Sequence, residues 1–181
     1  MSYRLRSARL GFRSWRDADL DAFAALNADP EVMEYFPSER TREQTAEMIQ
    51  RLRAHEQRDG CTFWAVDELP TGRFVGMLGV LVQREMPEVF DGPTHEIGWR
   101  FARAFWGRGY ATEGARACLS WAFAKTDAER VVAFTTTENR RSERVMVKAG
   151  MRRVGVFEHP KLVGHRLGPH VLYEARRPAG E

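Results

Sequence analysis

The segment FWGRGYATEGARA, Phe105 to Ala117, places two glycines between a stretch typical of a β-strand and a stretch typical of a helix. The preceding THEIGWRFA reads as a strand, and small and apolar residues after Tyr110 recur at helical spacing. The first N–H groups of a helix have no intrahelical partner, and glycines let the backbone approach a ligand closely. The glycine turn, Gly107 to Thr112, therefore predicts an anion site formed by backbone N–H groups at a helix N-terminus.

Two common nucleotide-binding motifs do not fit this turn. Gly109 opens a P-loop spacing, but Ala115 and Arg116 stand where Lys and Ser or Thr are needed. Gly107 and Gly109 begin a dinucleotide fingerprint, but Thr112 fills the third glycine position, and the turn follows the fourth predicted strand rather than the first. A phosphate cradle of another kind and a turn that only joins a strand to a helix both remain open.

Four helices are predicted from apolar spacing and from start and stop signals. They begin after Asp17 as N-cap, at a capping box from Thr41 to Gln44, at the glycine turn, and in the segment ENRRSERVMVKAG. About seven strands are predicted, at Ser7–Arg13 and in CTFWAVDE, GRFVGMLGVLVQ, THEIGWRFA, RVVAFTT, MRRVGVF and HVLYEARR. Because short turns join consecutive strands, much of the sheet should be antiparallel. The predicted fold is one mixed α/β (α+β) domain over 5–177, followed by a short tail at 178–181.

Length and cysteine usage exclude several classes of protein. The chain has 181 residues, a length typical of one domain, and no apolar run near the roughly 20 residues that a membrane-spanning helix needs. The segment MSYRLRSARL lacks the apolar region of a signal peptide. Cys61 and Cys118 lie far apart, which favours two buried thiols in a reducing compartment over a disulfide or a zinc site. We therefore expect a cytoplasmic protein with no membrane partner and no bound metal.

The charge distribution argues against a nucleic-acid partner. The formal net charge is +3, and basic residues are scattered among acidic ones. RVMVKAGMRR is the densest basic segment, but apolar residues interrupt it, whereas nucleic-acid binders concentrate their cations in one stripe. A modest positive field would still help to recruit a polyanionic small molecule.

Two ordered motifs resemble the GNAT superfamily of N-acetyltransferases. The run FWGxGYATEA of its ribosomal-protein N-terminal-alanine/serine acetyltransferase branch is matched almost fully from Phe105 to Gly114. A second signature, Asn-x-x-Ser with a Lys-x-Gly-Phe ending, appears downstream as Asn139, Ser142, Lys148, Gly150 and Met151. The likeness covers about 5–177. It implies a single GNAT-type domain, whose sheet is splayed at the cofactor site, and transfer of an acetyl group from acetyl-coenzyme A to an amine.

The resemblance also implies where the donor binds. The pyrophosphate of acetyl-coenzyme A would lie on turn amides at Arg108, Gly109, Tyr110, Ala111 and Thr112. The pantetheine arm would pair with the strand end at Phe101, Ala102 and Arg103, where a backbone amide can stabilise the charge on the thioester oxygen. Asn139 matches a position that contacts this arm, although an asparagine there equally suits a helix cap.

The resemblance points to Glu96, on the strand before the glycine turn, as general base, either directly or through water. A structural carboxylate paired with an arginine is the alternative. His95 should face the opposite side of the strand. Many enzymes of the family have a tyrosine as general acid where this chain has Met146, which cannot donate a proton. Ser142 or water is then the candidate acid, although Ser142 also suits a helix cap.

The sequence defines the acceptor substrate less closely than the donor. A primary amine is expected, on a protein N-terminus or on a small molecule, and a homodimer is compatible with the sequence. Acids near the expected acceptor side could attract a cationic amine or could serve solubility: Asp29, Glu31, Glu34, Glu85, Glu88 and Asp91. The alternative function is a catalytically weak acyl-coenzyme A-binding module used for sensing or protein interaction.

Overall fold

An eight-stranded mixed sheet with the order β1-β2-β3-β4-β5-β6-β8-β7 forms the centre of the protein. The structure is a computed structural model that describes residues 2–86 and 88–178. The strands are β1 Leu5–Arg6, β2 Leu10–Arg13, β3 Phe63–Glu68, β4 Arg73–Gln83, β5 Thr94–Phe101, β6 Arg130–Thr136, β7 Arg152–Glu158 and β8 Pro169–Arg176. All neighbours pair antiparallel except β5 and β6. The predicted tail lies outside the described residues after position 178.

The described chain has four α-helices, as the sequence predicts: α1 Leu20–Asn27, α2 Arg42–Asp59, α3 Tyr110–Lys125 and α4 Arg140–Lys148. Three short 3₁₀ segments add to them, at Asp17–Asp19, Arg103–Phe105 and Pro160–Leu162. The capping box of α2 is confirmed, because Thr41 Oγ1 accepts from Gln44 N at 3.2 Å and Gln44 Oε1 accepts from Thr41 N at 2.9 Å. Gly60 ends α2 in the left-handed conformation, with φ 71°.

Two local predictions were wrong near the N-terminus. The predicted strand Ser7–Arg13 begins only at Leu10, as β2, and a separate two-residue strand, β1, precedes it across a turn, so the sheet has eight strands rather than about seven. A two-residue strand carries no periodicity that could reveal it. Asp17 does not cap α1; it opens a 3₁₀ turn, and its carboxylate binds Arg53 instead, with Oδ1 2.7 Å from Nη2.

The sheet is covered by helices on both faces. Helices α3 and α4 pack on one face, where Cys118, Leu119 and Met146 meet strand residues such as Phe12 and Leu78. Helices α1 and α2 pack on the other face through a second apolar cluster. Both cysteines are buried and free, as the sequence indicates. None of the helices in the described ranges is both long and apolar enough to cross a membrane.

The two central strands, β5 and β6, pair over only a short stretch. Their parallel register joins His95 to Val131 and Glu96 to Val132. Beyond these pairs β5 runs on to Phe101 bound to β4, while β6 runs on to Thr136 bound to β8. The sheet therefore opens between β5 and β6, which confirms the predicted splay. Helix α3 connects the two strands, so its N-terminus follows the end of β5.

A buried cluster of three charged side chains links the 3₁₀ turn before α1 to strands β2 and β3. Arg13 of β2 donates to both carboxylate oxygens of Asp67 at 2.7 and 2.9 Å and to both oxygens of Asp19 at 2.7 and 2.8 Å. All three side chains are almost fully buried. Burial alone would lower the pKa of Arg13, but its hydrogen bonds to Asp19 and Asp67 outweigh that effect and raise the pKa.

We expect Arg13→Met to lower the free energy of unfolding by about 3–5 kcal/mol, because it leaves two carboxylates buried without a counter-charge. Urea denaturation at pH 7 measures the change. Arg42→Met is the matched control, since Arg42 forms an exposed pair with Asp21 that should contribute about 0–1 kcal/mol. Equal losses in the two variants would show that the buried cluster does not stabilise the fold.

Candidate functional site

A cavity of about 870 Å³ lies where β5 and β6 diverge. This cavity, the splay cleft, extends from the glycine turn along the facing parts of β5 and β6 to the segment after α1. Residues of α4, β8 and the 3₁₀ turn at Pro160–Leu162 close its other side. The opening of the sheet therefore creates one continuous space beside the turn that the sequence singled out.

The glycine turn has the conformation that an anion site needs. Gly107 and Gly109 have φ values of 72° and 78°, which other residues rarely adopt, and Gly109 is the N-cap of α3. Trp106 N–H and Glu113 N–H are bonded on either side of the turn, to Arg103 O and Gly109 O. Within the described ranges, the N–H groups of 107–112 donate to no protein acceptor. These free donors at the positive end of a helix suit a phosphate group.

Side-chain hydrogen bonds and an ion pair hold the glycine turn in place. Tyr110 Oη donates to Glu68 Oε1 at 2.6 Å, and Arg108 Nη1 lies 3.4 Å from the same oxygen. The Glu113 carboxylate accepts from Ser7 Oγ, and from Arg9 through its backbone N and its Nε, all at 2.7 Å. These bonds leave the backbone N–H groups of Arg108 and Tyr110 for the predicted anion contact, and Tyr110, Ala111 and Thr112 all line the cleft.

The backbone N–H groups that β5 presents to the cleft are offset by one residue from the expected Ala102. Ala102 N–H donates to Val75 O at 3.0 Å, and Ala102 O accepts from Phe105 N, so Ala102 has no free N–H for a ligand. Backbone groups alternate in direction along an antiparallel strand, so those of Trp99 and Phe101 face the cleft. The carbonyl of Phe101 already accepts from Trp106 Nε1 at 2.7 Å.

The backbone carbonyl and the side chain of Arg103, which was expected to contact the donor arm, are bonded within the protein. Its carbonyl accepts from Trp106 N at 3.0 Å, and its side chain binds Asp29 at 2.8 Å and also binds Glu31. Of the residues expected to contact the donor arm, Ala102 therefore has its N–H used within the sheet, whereas the N–H of Phe101 lies on the cleft edge of β5 together with that of Trp99. The pairing register of β4 and β5 decides which N–H groups face the cleft, and the sequence does not reveal that register.

Glu96 is the carboxylate on the cleft-facing wall of β5. It is half-buried, and its Oε2 accepts from Gln83 Nε2 at 3.1 Å. Burial raises the pKa of Glu96 to about 7, against the effect of the Gln83 hydrogen bond and with a smaller contribution from Glu85. No described arginine pairs with it, which argues against a purely structural carboxylate. His95 does not line the cleft, as strand alternation predicts; its Nε2 lies 3.9 Å from Asp127.

The start of α4 forms the opposite wall. Asn139 is the N-cap: its Oδ1 accepts from Ser142 N at 3.1 Å, and its Nδ2 donates to Thr135 Oγ1 at 3.1 Å. The capping interpretation of Asn139 is therefore correct, and the same side chain also lines the cleft. The hydroxyl of Ser142 lines the cleft and has no partner among the described residues. Met146, at the position where the sequence resemblance implies a tyrosine, is buried.

Several cleft residues were missed in the sequence. Arg141, Arg144 and Lys148 of α4 line the cleft, and the Arg141 guanidinium lies 5.1 Å from the ring centre of Trp106. Their helical spacing on α4 was the available signal.

His159 and His170 were also missed, because only the pairing of β7 with β8 brings them together. Their rings lie 4.8 Å apart beside the cleft, and burial lowers the pKa of both.

Three of the six acids expected to attract a cationic amine form ion pairs within the protein. Asp29 and Glu31 bind Arg103, and Glu85 binds Lys161. Of the six acids named from the sequence, only Glu31 lines the splay cleft. The described residues contain no group of three side chains suited to hold a metal ion.

Comparison with known proteins agrees with this geometry. Residues 9–152 match the model of the acetyltransferase (GNAT) domain. The chain is 34% identical to the protein YkkB of Bacillus subtilis, over 82% of this chain and 84% of that protein. It is 30% identical to the N-acetyltransferase YnaD of the same organism, over 85% of each chain. The crystal structure of a GNAT-family acetyltransferase from Bacillus anthracis superposes with a TM-score of 0.80 at 27% identity, covering 97% of this chain and 99% of that one.

We expect Gly109→Glu to weaken coenzyme A binding by about 100-fold or more, because glutamate disfavours the positive φ that presents the free N–H groups and brings a negative charge close to the pyrophosphate. Isothermal titration calorimetry with coenzyme A measures the loss. Gly72→Glu is the matched control: Gly72 also has positive φ, 67°, but lies in the β3–β4 turn outside the cleft. An unchanged affinity in Gly109→Glu would refute the anion site.

Proposed function

The chain belongs to the GNAT family of acetyl-coenzyme A-dependent N-acetyltransferases, and we propose that it acetylates a primary amine by direct attack within the splay cleft. One observation carries this proposal: a single cavity joins the free N–H groups of the glycine turn to the carboxylate of Glu96. The first feature suits the anionic donor, and the second suits removal of a proton from the acceptor.

The residues present fit the donor. We assign its pyrophosphate to the N–H groups of 107–112 and its further phosphate charge to the cations of α4, Arg141, Arg144 and Lys148. The N–H groups of Trp99 and Phe101 are available to its pantetheine arm and to the thioester oxygen. Acetyl-coenzyme A supplies an acetyl group activated as a thioester.

Glu96 is the proposed general base. A carboxyl group with a pKa near 7 is a stronger base than an ordinary glutamate and is still substantially ionised at neutral pH. It accepts a proton from the amine, directly or through water, while the N–C bond forms and the C–S bond breaks. The departing thiolate then needs a proton. Ser142 has a free hydroxyl in the cleft and is the proposed donor together with water, because Met146 has no proton to give.

The acceptor class is open between protein N-termini and small amines. The match of Phe105–Gly114 to the ribosomal-protein branch supports the former, and this finer assignment stays a prediction. Measuring coenzyme A release with a thiol reagent, across peptides, polyamines, aminoglycosides and amino acids, tests the proposal. Amine-dependent release is the expected result. Coenzyme A binding without release for any amine would favour the acyl-coenzyme A-binding module instead.

We expect kcat/KM for an acceptor amine to rise with pH through about 7, because Glu96 must lose its proton before it can act as base. Glu96→Gln should remove this inflection and lower kcat/KM at pH 7 by about 100-fold. Gln83→Leu should move the inflection to higher pH, because it deletes a hydrogen bond that favours the charged carboxylate. Glu88→Gln, an exposed change in the β4–β5 loop, should leave the profile as in the wild type. An unaltered profile in Glu96→Gln would exclude Glu96 as the base.

A further inference from the structure

One arginine in the splay cleft is buried without any acidic partner. Arg100 of β5 is 6% exposed and lines the cleft on the same strand face as Glu96. Its Nη1 donates to Asn27 Oδ1 at 2.6 Å, and its guanidinium lies 4.0 Å from the ring centre of Phe36. Nε is buried with no partner, and no described carboxylate accepts from Nε or Nη2. A charge that is buried in this way is costly unless a counter-charge arrives.

Arg40 adds a second positive charge at the same place. Its backbone N–H donates to Asn27 O at 3.0 Å, and its Nε is also buried without a partner. Burial and the charge of Arg40 together lower the pKa of Arg100 to about 9. Arg13, the other arginine that the described chain buries almost completely, is held by two carboxylates. Among the described residues, no carboxylate pairs with Arg100 or Arg40, whereas two carboxylates pair with Arg13.

One donor of Arg100 remains for an anion. Because Nη1 is bonded to Asn27 and Nε is enclosed by protein atoms, Nη2 is the guanidinium nitrogen that a carboxylate in the cleft can reach. The wall around it is apolar, formed by Val32, Phe36, Met48, Phe63 and Met77. Glu96 lies four residues away on the same face, a Cα separation of about 13 Å along the strand.

Resting on the proposed function, we infer that the acceptor is an amine whose apolar body carries a carboxylate. Its amine reaches Glu96, its apolar part contacts the wall that contains Phe36 and Phe63, and its carboxylate binds Arg100 with support from Arg40. Straight-chain ω-amino acids such as 6-aminohexanoate, whose amine and carboxylate lie at opposite ends of an apolar chain, are simple molecules of this class. Polyamines, which carry no anion, should be poor acceptors.

Turnover of matched pairs tests the inference. The ω-amino acids 5-aminopentanoate, 6-aminohexanoate and 8-aminooctanoate are compared with their primary amides by coenzyme A release. At least one acid should exceed its amide in kcat/KM by about tenfold or more, the usual contribution of a hydrogen bond to a charged group. Arg100→Gln should remove that preference, so that each acid and its amide have equal kcat/KM. Arg42→Gln, the same change at an exposed arginine outside the cleft, should retain the preference.

A binding measurement keeps the inference separate from catalysis. Calorimetric titration of 6-acetamidohexanoate and of 6-acetamidohexanamide, each with coenzyme A present, needs no turnover. Tighter binding of the acid, lost in Arg100→Gln and weakened in Arg40→Gln, supports the carboxylate site even if no amine is acetylated. Arg40→Gln serves alone if Arg100→Gln does not fold, as judged by thermal unfolding. Equal affinity for acid and amide in the wild type would overturn the inference, while amine-dependent coenzyme A release would still support the proposed function.

Discussion

The short parallel pairing of β5 with β6 is the constraint on which the rest of the site depends. Only His95 and Glu96 of β5 meet β6, whereas β4 holds β5 as far as Phe101 and β8 holds β6 as far as Thr136. Each strand is therefore fixed on its outer edge while its inner edge loses its partner. A sheet that opens in this way leaves backbone donors and acceptors facing a cavity, where an extended ligand can pair with them.

The charges around the opening are arranged so that the cleft itself is positive. Arg103 binds Asp29 and Glu31, and Lys161 binds Glu85, so the charges of these three loop acids are neutralised. The cleft keeps the cations of α4 at the donor end and Arg100 at the acceptor end. Glu96 is the one acid on the β5 wall among the described residues. Its burial at this wall raises its pKa.

Features set by neighbouring residues could be predicted from the sequence, and features set by distant contacts could not. The glycine turn, the Thr41 capping box and the helix end at Gly60 depend on a few adjacent residues, and all three were predicted. The hydrogen bond between Arg100 and Asn27 joins residues 73 positions apart, so no local pattern indicates it. The availability of the Ala102 N–H depends on the register between β4 and β5, which alternation alone does not fix.

A crystal structure of the protein with coenzyme A tests the central claim most directly, namely that the splayed strands and the glycine turn together hold the donor. The account predicts pyrophosphate oxygens within about 2.7–3.2 Å of N–H groups between Gly107 and Thr112. It also predicts a pantetheine arm lying between β5 and β6 and ending beside Glu96. Coenzyme A bound outside the cleft, or a pyrophosphate held only by side chains away from the turn, would contradict it.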